Sequence, residues 1–339
     1  MEPRGRVFYT RNTSAPWAVD DGKALAEEFE VRELDHRRPS SIGKVIAGVV
    51  WCDIVVCRFA NRIALLAVAL ARLLRKPSVV VVGGYDTASV PEMNYGSLRG
   101  GPVRGMTLAI FKMADRLMPT SSTAGREART NAGVLENKIQ VIPNGYPEIP
   151  APTTPKEPVV ITVGNVIAEN IVRKGLGAFV EVARALPEIR FVMAGRADAE
   201  GEAWLASCRP PNLETPGFLS DADRDALYAQ AKVYVQLSLH EAFGSSVAEA
   251  MLLRCIPVVS DRGALPEVVQ DAGFVVPYGD SEAAIAAVRS ALEASPEAGD
   301  RARGKILRDY RIEDRDRQLR QVVRDLLAGG GGRRKPVSG

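Results

Sequence analysis

The segment HEAFGSSVAEA, residues 240–250, sets two carboxylates, Glu241 and Glu249, on either side of a Gly-Ser-Ser step. The apolar run VYVQLS precedes it and reads as a strand, so a helix is expected to open at Ser245 or Ser246. The free N–H groups and positive end of such a helix suit an anion, and a diphosphate fits. Gly244 lets the main chain come close to that anion. Glu249 has a local explanation as well, because Ser246-Val247-Ala248-Glu249 has the form of a capping box. Glu241 has no such local role. At a strand end it can accept hydrogen bonds from sugar hydroxyls. His240 beside it reads as a polar loop residue or a ligand contact.

Three other stretches carry groups of the same kind. In ENIVRKGLGAFVEV, Arg173 and Lys174 stand just before a helix. Cations there oppose the helix dipole, which a polyanionic ligand would offset. The alternative is that both point into water. The turn GGYDTASVPEMNYGSLRGG follows an apolar strand and is long for a compact α/β unit. Asp86 in it is a candidate to orient a hydroxyl nucleophile, and Arg99 and Arg104 to meet an anionic substrate. A plain turn-forming loop explains the same residues. VIPNGYP, residues 141–147, holds an Asn-Gly turn and reads as a hinge.

These groups need strand ends to hold them. Strand-like and helix-like pieces alternate along the first half: RVFYT, a helix over 20–29, FEVREL, DIVVCR, a helix over 61–74, and SVVVVGG. A helix in GMTLAIFKMADRL, a helix over 123–132 and a strand in KIQVIPNG complete it. Apolar runs without alternation suit a parallel sheet covered on both faces. PEIPAPTTPKEP, with five prolines in twelve residues, is a stiff break. The alternation then restarts with VVITVG and runs through RFVMAG, VYVQLS, CIPVVS and GFVVPYGD. The expected organisation is a first Rossmann-like domain over 1–148, a linker over 149–157 and a second Rossmann-like domain over 158–310. A C-terminal helix over 311–328 packs back on the first domain, and a disordered tail covers 329–339. Ligands of doubly wound α/β sheets sit at the strand ends.

Composition narrows the function classes. The chain has 339 residues, 46% hydrophobic and 25% charged, with net charge +3. The first 150 residues carry 20 basic and 15 acidic side chains, leaving +5 there and −2 in the rest. That asymmetry is too mild for a nucleic-acid groove. It is compatible with an anionic ligand or with contact at an acidic membrane surface. Four cysteines without a CxxC and two histidines argue against a disulfide framework or a metal site, and for a reducing compartment. IALLAVALARLLRKPSVVVVGG is cut by Arg72, Arg75, Lys76 and Pro77, so it reads as a buried helix and a strand, with a membrane-resting helix as the alternative. The N-terminus MEPRGRVFYT shows no apolar signal segment, so a cytoplasmic place is expected, with peripheral contact at the inner face of the membrane allowed.

In order along the chain, PNG at 143–145, RKG at 173–175, GFLSDADRDALYAQAKVYVQLS, EAFGSSVAEAMLLRCIPVV and GFVVPYGD resemble the retaining glycosyltransferases of the GT-B fold, family 4 (group 1). The resemblance is specific over 138–292 and weaker over 1–137. It implies two doubly wound Rossmann-like domains facing a central cleft. It also implies a metal-independent transfer of a hexose, with retained configuration, from a nucleotide-diphosphate sugar (a UDP- or GDP-sugar) to a hydroxyl-bearing acceptor. No tightly bound cofactor is implied. Residue by residue, it implies that Glu249 holds the ribose hydroxyls and Glu241 the donor sugar. Gly244, Ser245 and Ser246 present N–H groups to the distal phosphate, Lys174 neutralises the departing diphosphate, Gly164 passes close to the donor, and Phe218 marks the base. His240, Arg173 and Asn165 complete the expected donor pocket.

The sequence departs from the family pattern at several points. Asn165 stands where an arginine is usual, and Arg173 is the candidate to replace it. Ala242 replaces a glycine of E-G-F-G, and Arg254 stands where a glycine is common. Asn12, Thr13 and Ser14 take the place of a first-domain glycine loop. His36 does not match the family's first-domain histidine. Two alternatives compete: a non-catalytic GT-B relative that binds a nucleotide sugar or a protein, and a sugar-nucleotide epimerase of the same fold.

Overall fold

The structure is a computed structural model that describes residues 5–13, 15–35 and 42–330. It divides into two compact units, one of residues 1–145 with 312–339 and one of 146–311.

In the first unit β1 (Arg6–Arg11), α1 (Pro16–Ala26), β2 (Glu30–Asp35), α2 (Ile42–Trp51), β3 (Ile54–Arg58) and α3 (Arg62–Leu73) come first. They are followed by β4 (Ser78–Val82), α4 (Gly84–Thr87), α5 (Gly101–Met113), β5 (Arg116–Pro119) and α6 (Ser122–Ala132). The strands form one parallel sheet in the order β2-β1-β3-β4-β5. Val55, Val80 and Leu117 pack with α2, α3 and α5 on one face. Val7, Tyr9, Ile54 and Val79 pack with α1 on the other. Burial on both faces is the reason β3 and β4 show no polar alternation, while the edge strand β2 is largely exposed and charged.

The second unit runs β6 (Glu157–Val163), α7 (Ala168–Arg173), α8 (Leu176–Ala185), β7 (Arg190–Ala194), α9 (Ala199–Cys208), β8 (Leu213–Gly217) and α10 (Asp221–Gln230). It continues with β9 (Ala231–Gln236), α11 (Ser245–Leu252), β10 (Ile256–Ser260), α12 (Leu265–Val269), β11 (Phe274–Val276), α13 (Ser281–Glu293) and α14 (Pro296–Asp309). The parallel sheet has the order β11-β10-β9-β6-β7-β8, the doubly wound dinucleotide-fold order. Its direction reverses between β6 and β9, which is where such sheets bind ligands.

The last helix, α15 (Ile312–Gly330), belongs to the first unit. Leu319, Val322 and Val323 enter the core beside β1 and β3. Arg315 pairs with the buried Asp21, which Arg58 holds from its other oxygen.

Some elements differ from the sequence expectations. The first helix is Pro16–Ala26, ahead of the expected 20–29, because Pro16 fits the first helical turn and Phe29 drops into the core. α2 was not expected: its Ile and Val content is strand-like, yet two parallel strands need a crossover, and Val45, Gly48 and Val49 supply the buried stripe. α7 and α14 were not expected either. KIQVIPNG forms no strand and makes one bridge, Ile139 to Leu117, beside the short edge strand β5. Proline at 143 cannot donate to a ladder. Ser14, His36 and the tail over 331–339 lie outside the described residues. No helix among the described residues is long and apolar enough to cross a membrane.

Candidate functional site

The site forms where the second sheet switches direction, between the ends of β6 and β9. After β6 the chain passes Gly164 and Asn165 and enters α7. Arg173 closes α7 and Lys174 is its C-cap, so both cations stand at the negative end of a helix. This corrects the expectation that they oppose a dipole: the following helix α8 starts only after Gly175. Gly175 has φ 69°, and a Cβ there would lie 2.1 Å from the Leu237 carbonyl oxygen. The close approach ties this turn to the end of β9, and the Leu239 N–H donates to the Arg173 carbonyl at 2.8 Å.

Gly164 has a different use. A Cβ there would stand 2.9 Å from Lys174 Cδ, so the bare backbone makes room for the lysine stem. Lys174 Nζ then reaches Glu241 Oε1 at 3.5 Å, and Arg173 Nη1 reaches the same oxygen at 3.8 Å. Gln236 Nε2 donates to Glu241 Oε1 at 2.7 Å. The Tyr234 hydroxyl donates in turn to Gln236 Oε1 at 3.1 Å. Gln236 and Tyr234 are buried in β9 and hold the carboxylate from below. Sequence reasoning passed over both, since VYVQLS reads only as a strand. A glutamine in an otherwise apolar strand was the available signal. Arg173 also bonds Glu169 at 3.1 Å and Asn170 at 2.5 Å, which fixes its guanidinium over α7.

α11 opens at Ser245, as expected. Its N-cap is Gly244, at φ 93°, and neither a side-chain cap nor an acid occupies its first turn. The capping box read from Ser246 and Glu249 is therefore absent: the helix starts two residues too early for Ser246 to cap it. Glu249 lies in the second turn with no local duty. Arg224 of α10 approaches it at 3.7 Å. Burial pushes its carboxyl up to about 7, with Arg224 pulling down and Asp225 and Asp221 adding to the rise. At that level the group is part acid and part carboxylate near neutral pH, and hydrogen bonds donated to it favour the charged form. His240 is buried beside Glu241.

A third cluster marks the far side of the same strand ends. Asn165 Oδ1 accepts from the Arg196 N–H at 3.2 Å, so Asn165 does structural work here. The Arg196 guanidinium lies over the Phe218 ring, 4.4 Å from its centroid. Phe218 is 63% exposed just past β8. An exposed ring is a ready stacking partner for a planar base. Arg196 was not among the expected residues.

Asp86 belongs to the first unit and is buried. Its Oδ1 accepts from the Ala60 N–H at 3.0 Å and its Oδ2 from the Gly83 N–H at 2.8 Å. Burial raises its carboxyl to about 6 against those two backbone donors. Both oxygens are committed to joining the ends of β3 and β4. The role expected for Asp86, orienting a substrate hydroxyl, does not fit this geometry. Arg99 donates to Asn94, Tyr85 and Gly96 within its own loop.

Two parallel Rossmann-like sheets, the second with a carboxylate, a lysine and a helix start at its switch point, define the GT-B architecture. Solved structures of that kind superpose over nearly the whole chain. Anabaena Alr3699/HepE in complex with UDP and glucose gives a TM-score of 0.76 at 16% identity, covering 95% of this chain and 100% of that one. Sucrose-phosphate synthase from Thermosynechococcus elongatus gives 0.76 at 19% identity, covering 96% and 100%.

Residues 148–305, which lie in the second unit, match the family model described as Glycosyl transferases group 1. Among curated proteins, one component of the phosphatidylinositol N-acetylglucosaminyltransferase of Arabidopsis thaliana is 25% identical over 227 residues, 63% of this chain and 50% of that protein. Escherichia coli O-antigen chain mannosyltransferase B is 39% identical over 77 residues, 23% of this chain and 20% of its own length. The matches thus span half or less of the curated relatives.

Proposed function

We propose that the chain is a glycosyltransferase that moves a hexose from a nucleotide-diphosphate sugar to an acceptor hydroxyl, with retained configuration at the transferred carbon. The observation that carries this reading is the meeting of Lys174, Glu241 and the uncapped start of α11 at one strand switch point.

In this reading Lys174 and the backbone N–H groups of Gly244, Ser245 and Ser246 take the diphosphate. As the bond to the sugar breaks, negative charge grows on the diphosphate, and a fixed cation with a helix start stabilises that charge most at the transition state. Glu241 leaves its contact with Lys174 to accept from the sugar hydroxyls, while Gln236 keeps it in place. Glu249 accepts from the ribose hydroxyls, and Phe218 stacks on the base with Arg196 behind it. Arg173, already tied to Glu169, Asn170 and Glu241, supplies a second positive charge near the site without making the contact of the family arginine. The relatives' names give a phosphatidylinositol N-acetylglucosaminyltransferase and an O-antigen chain mannosyltransferase, and the acceptor proposed here is a lipid or saccharide hydroxyl of that kind.

A thermal-shift series with uridine, guanosine and adenosine diphosphates and their sugars tests the donor side. One nucleotide at about a hundred times its Kd should stabilise the fold by about 2.7 kcal/mol. No shift with any of them sinks the reading. Binding with no turnover over many acceptors turns it towards a non-catalytic relative. Formation of an epimerised sugar nucleotide without acceptor turns it towards an isomerase.

A further inference from the structure

The first unit carries a surface that holds none of the residues assigned to the donor site. Helices α2, α3 and α5 form one layer over the sheet, with α3 between the other two and all three sharing a core. None of the three contains an aspartate or a glutamate. They do carry Lys44, Arg62, Arg72, Arg104 and Lys112, every one of them exposed.

The same layer holds more than half of the exposed large apolar side chains among the described residues. Ile42, Ile46 and Val50 recur every fourth residue along α2, so they form a single stripe on its outer side. Ile42 is 64% exposed and Val50 60%. Leu73 and Leu74, where α3 ends, are exposed as well, Leu73 at 77%. Lys76 binds the carbonyls of Val49, Val50 and Cys52, which fixes the end of α3 beside the end of α2. The end of the α2 stripe and the apolar end of α3 are therefore neighbours in this layer. The nearby acid Asp53 is turned to Arg6, at 2.9 Å.

An apolar stripe set among cations of one sign has few suitable partners. A second copy of this face would bring lysines and arginines against their own kind. Nucleic acid would satisfy the cations and leave the isoleucines and leucines in contact with phosphate. An anionic bilayer satisfies both: headgroups take the cations, and the interfacial acyl region takes the apolar side chains.

We propose that the α2–α3–α5 face docks the protein on an anionic lipid surface. Docking of this kind is peripheral, since it inserts side chains and no helix. It is independent of the donor reaction, so its test needs no substrate.

The experiment is co-sedimentation of the full chain with vesicles of phosphatidylcholine alone and of phosphatidylcholine mixed with phosphatidylglycerol. The protein should pellet with the mixed vesicles and stay in solution with the neutral ones. Raised salt should weaken the binding. Lys44→Glu with Arg72→Glu should lower partition by about tenfold or more. Val50→Glu with Leu73→Glu should lower it to a like degree while leaving the thermal midpoint in place. Equal partition onto both vesicle types overturns the proposal, as does undiminished binding by both variants. So does a vesicle-free self-association, read by sedimentation velocity, that the Val50→Glu change abolishes.

Discussion

At the scale of single residues the site is a chain of dependence. Glu241 is useful because Gln236 and Tyr234 hold it, and Lys174 reaches it because Gly164 has no side chain. Lys174→Ala should lower kcat by about a hundredfold or more while the thermal midpoint stays, because its contribution grows as the leaving charge develops. Gln236→Leu should act through Glu241, lowering kcat and altering the choice among donor sugars with less effect on free-nucleotide binding. Comparing sugar-nucleotide and nucleotide affinities separates the two variants. Glu249 gives a pH signature. Its folded value, about 7, stands above the usual 4.5. The folded chain therefore keeps a proton that the unfolded chain has released, so stability falls as pH rises between these values and levels off above. Nucleotide binding runs the other way, because two ribose hydroxyls donate best to the ionised form. The Kd for the nucleotide should tighten as pH rises through 7, and Glu249→Gln should remove that component. An unchanged titration curve in the variant would disprove the ribose role.

At the scale of elements, the decisive feature is the turn that joins α7 to α8 beneath the end of β9. Gly175 supports it with a left-handed backbone and a contact to Leu237 that admits no side chain. Gly175→Ala should destabilise the second unit by about 1–3 kcal/mol through strain alone. It should also move Lys174 away from Glu241. Activity should fall further than the stability loss explains, as measured on protein confirmed folded by circular dichroism. Gly177→Ala, next door in α8, is the control: its Cβ would meet nothing closer than 3.9 Å.

At the scale of the molecule, α15 is sequence-distant from the sheet it covers. Its apolar residues enter the first unit's core, and Arg315 is buried against Asp21. Arg315→Ala would leave Asp21 with only Arg58 and should cost about 3–5 kcal/mol, the usual loss when one partner of a buried pair is removed. Arg320→Ala breaks a pair with the exposed Glu27 and a bond to the Ala24 carbonyl and should cost about 1–2 kcal/mol, less than the buried anchor. Denaturant melts of the two variants distinguish the cases, and equal losses would refute the buried anchor.

The sequence alone determined the two-unit α/β organisation, because continuous apolar strands separated by helical pieces leave few other packings. It also placed Glu241 past a strand end, the start of α11 at Ser245 with Glu249 inside that helix, and Lys174 just ahead of a helix, since strand ends and helix starts are local patterns. It could not supply what depends on neighbours distant along the chain. α2 looked unlike a helix until β1 and β3 paired in parallel and required one. The capping box at Ser246 was a local reading that Gly244 displaced, and Asp86 resembled a loop acid until the ends of β3 and β4 enclosed it. Glu241 acquired its cationic neighbours when the turn at 173–175 came within reach of the end of β9. Tertiary structure decided these cases because burial and hydrogen-bond supply are set by residues far apart in sequence, and both determine where a polar side chain can go.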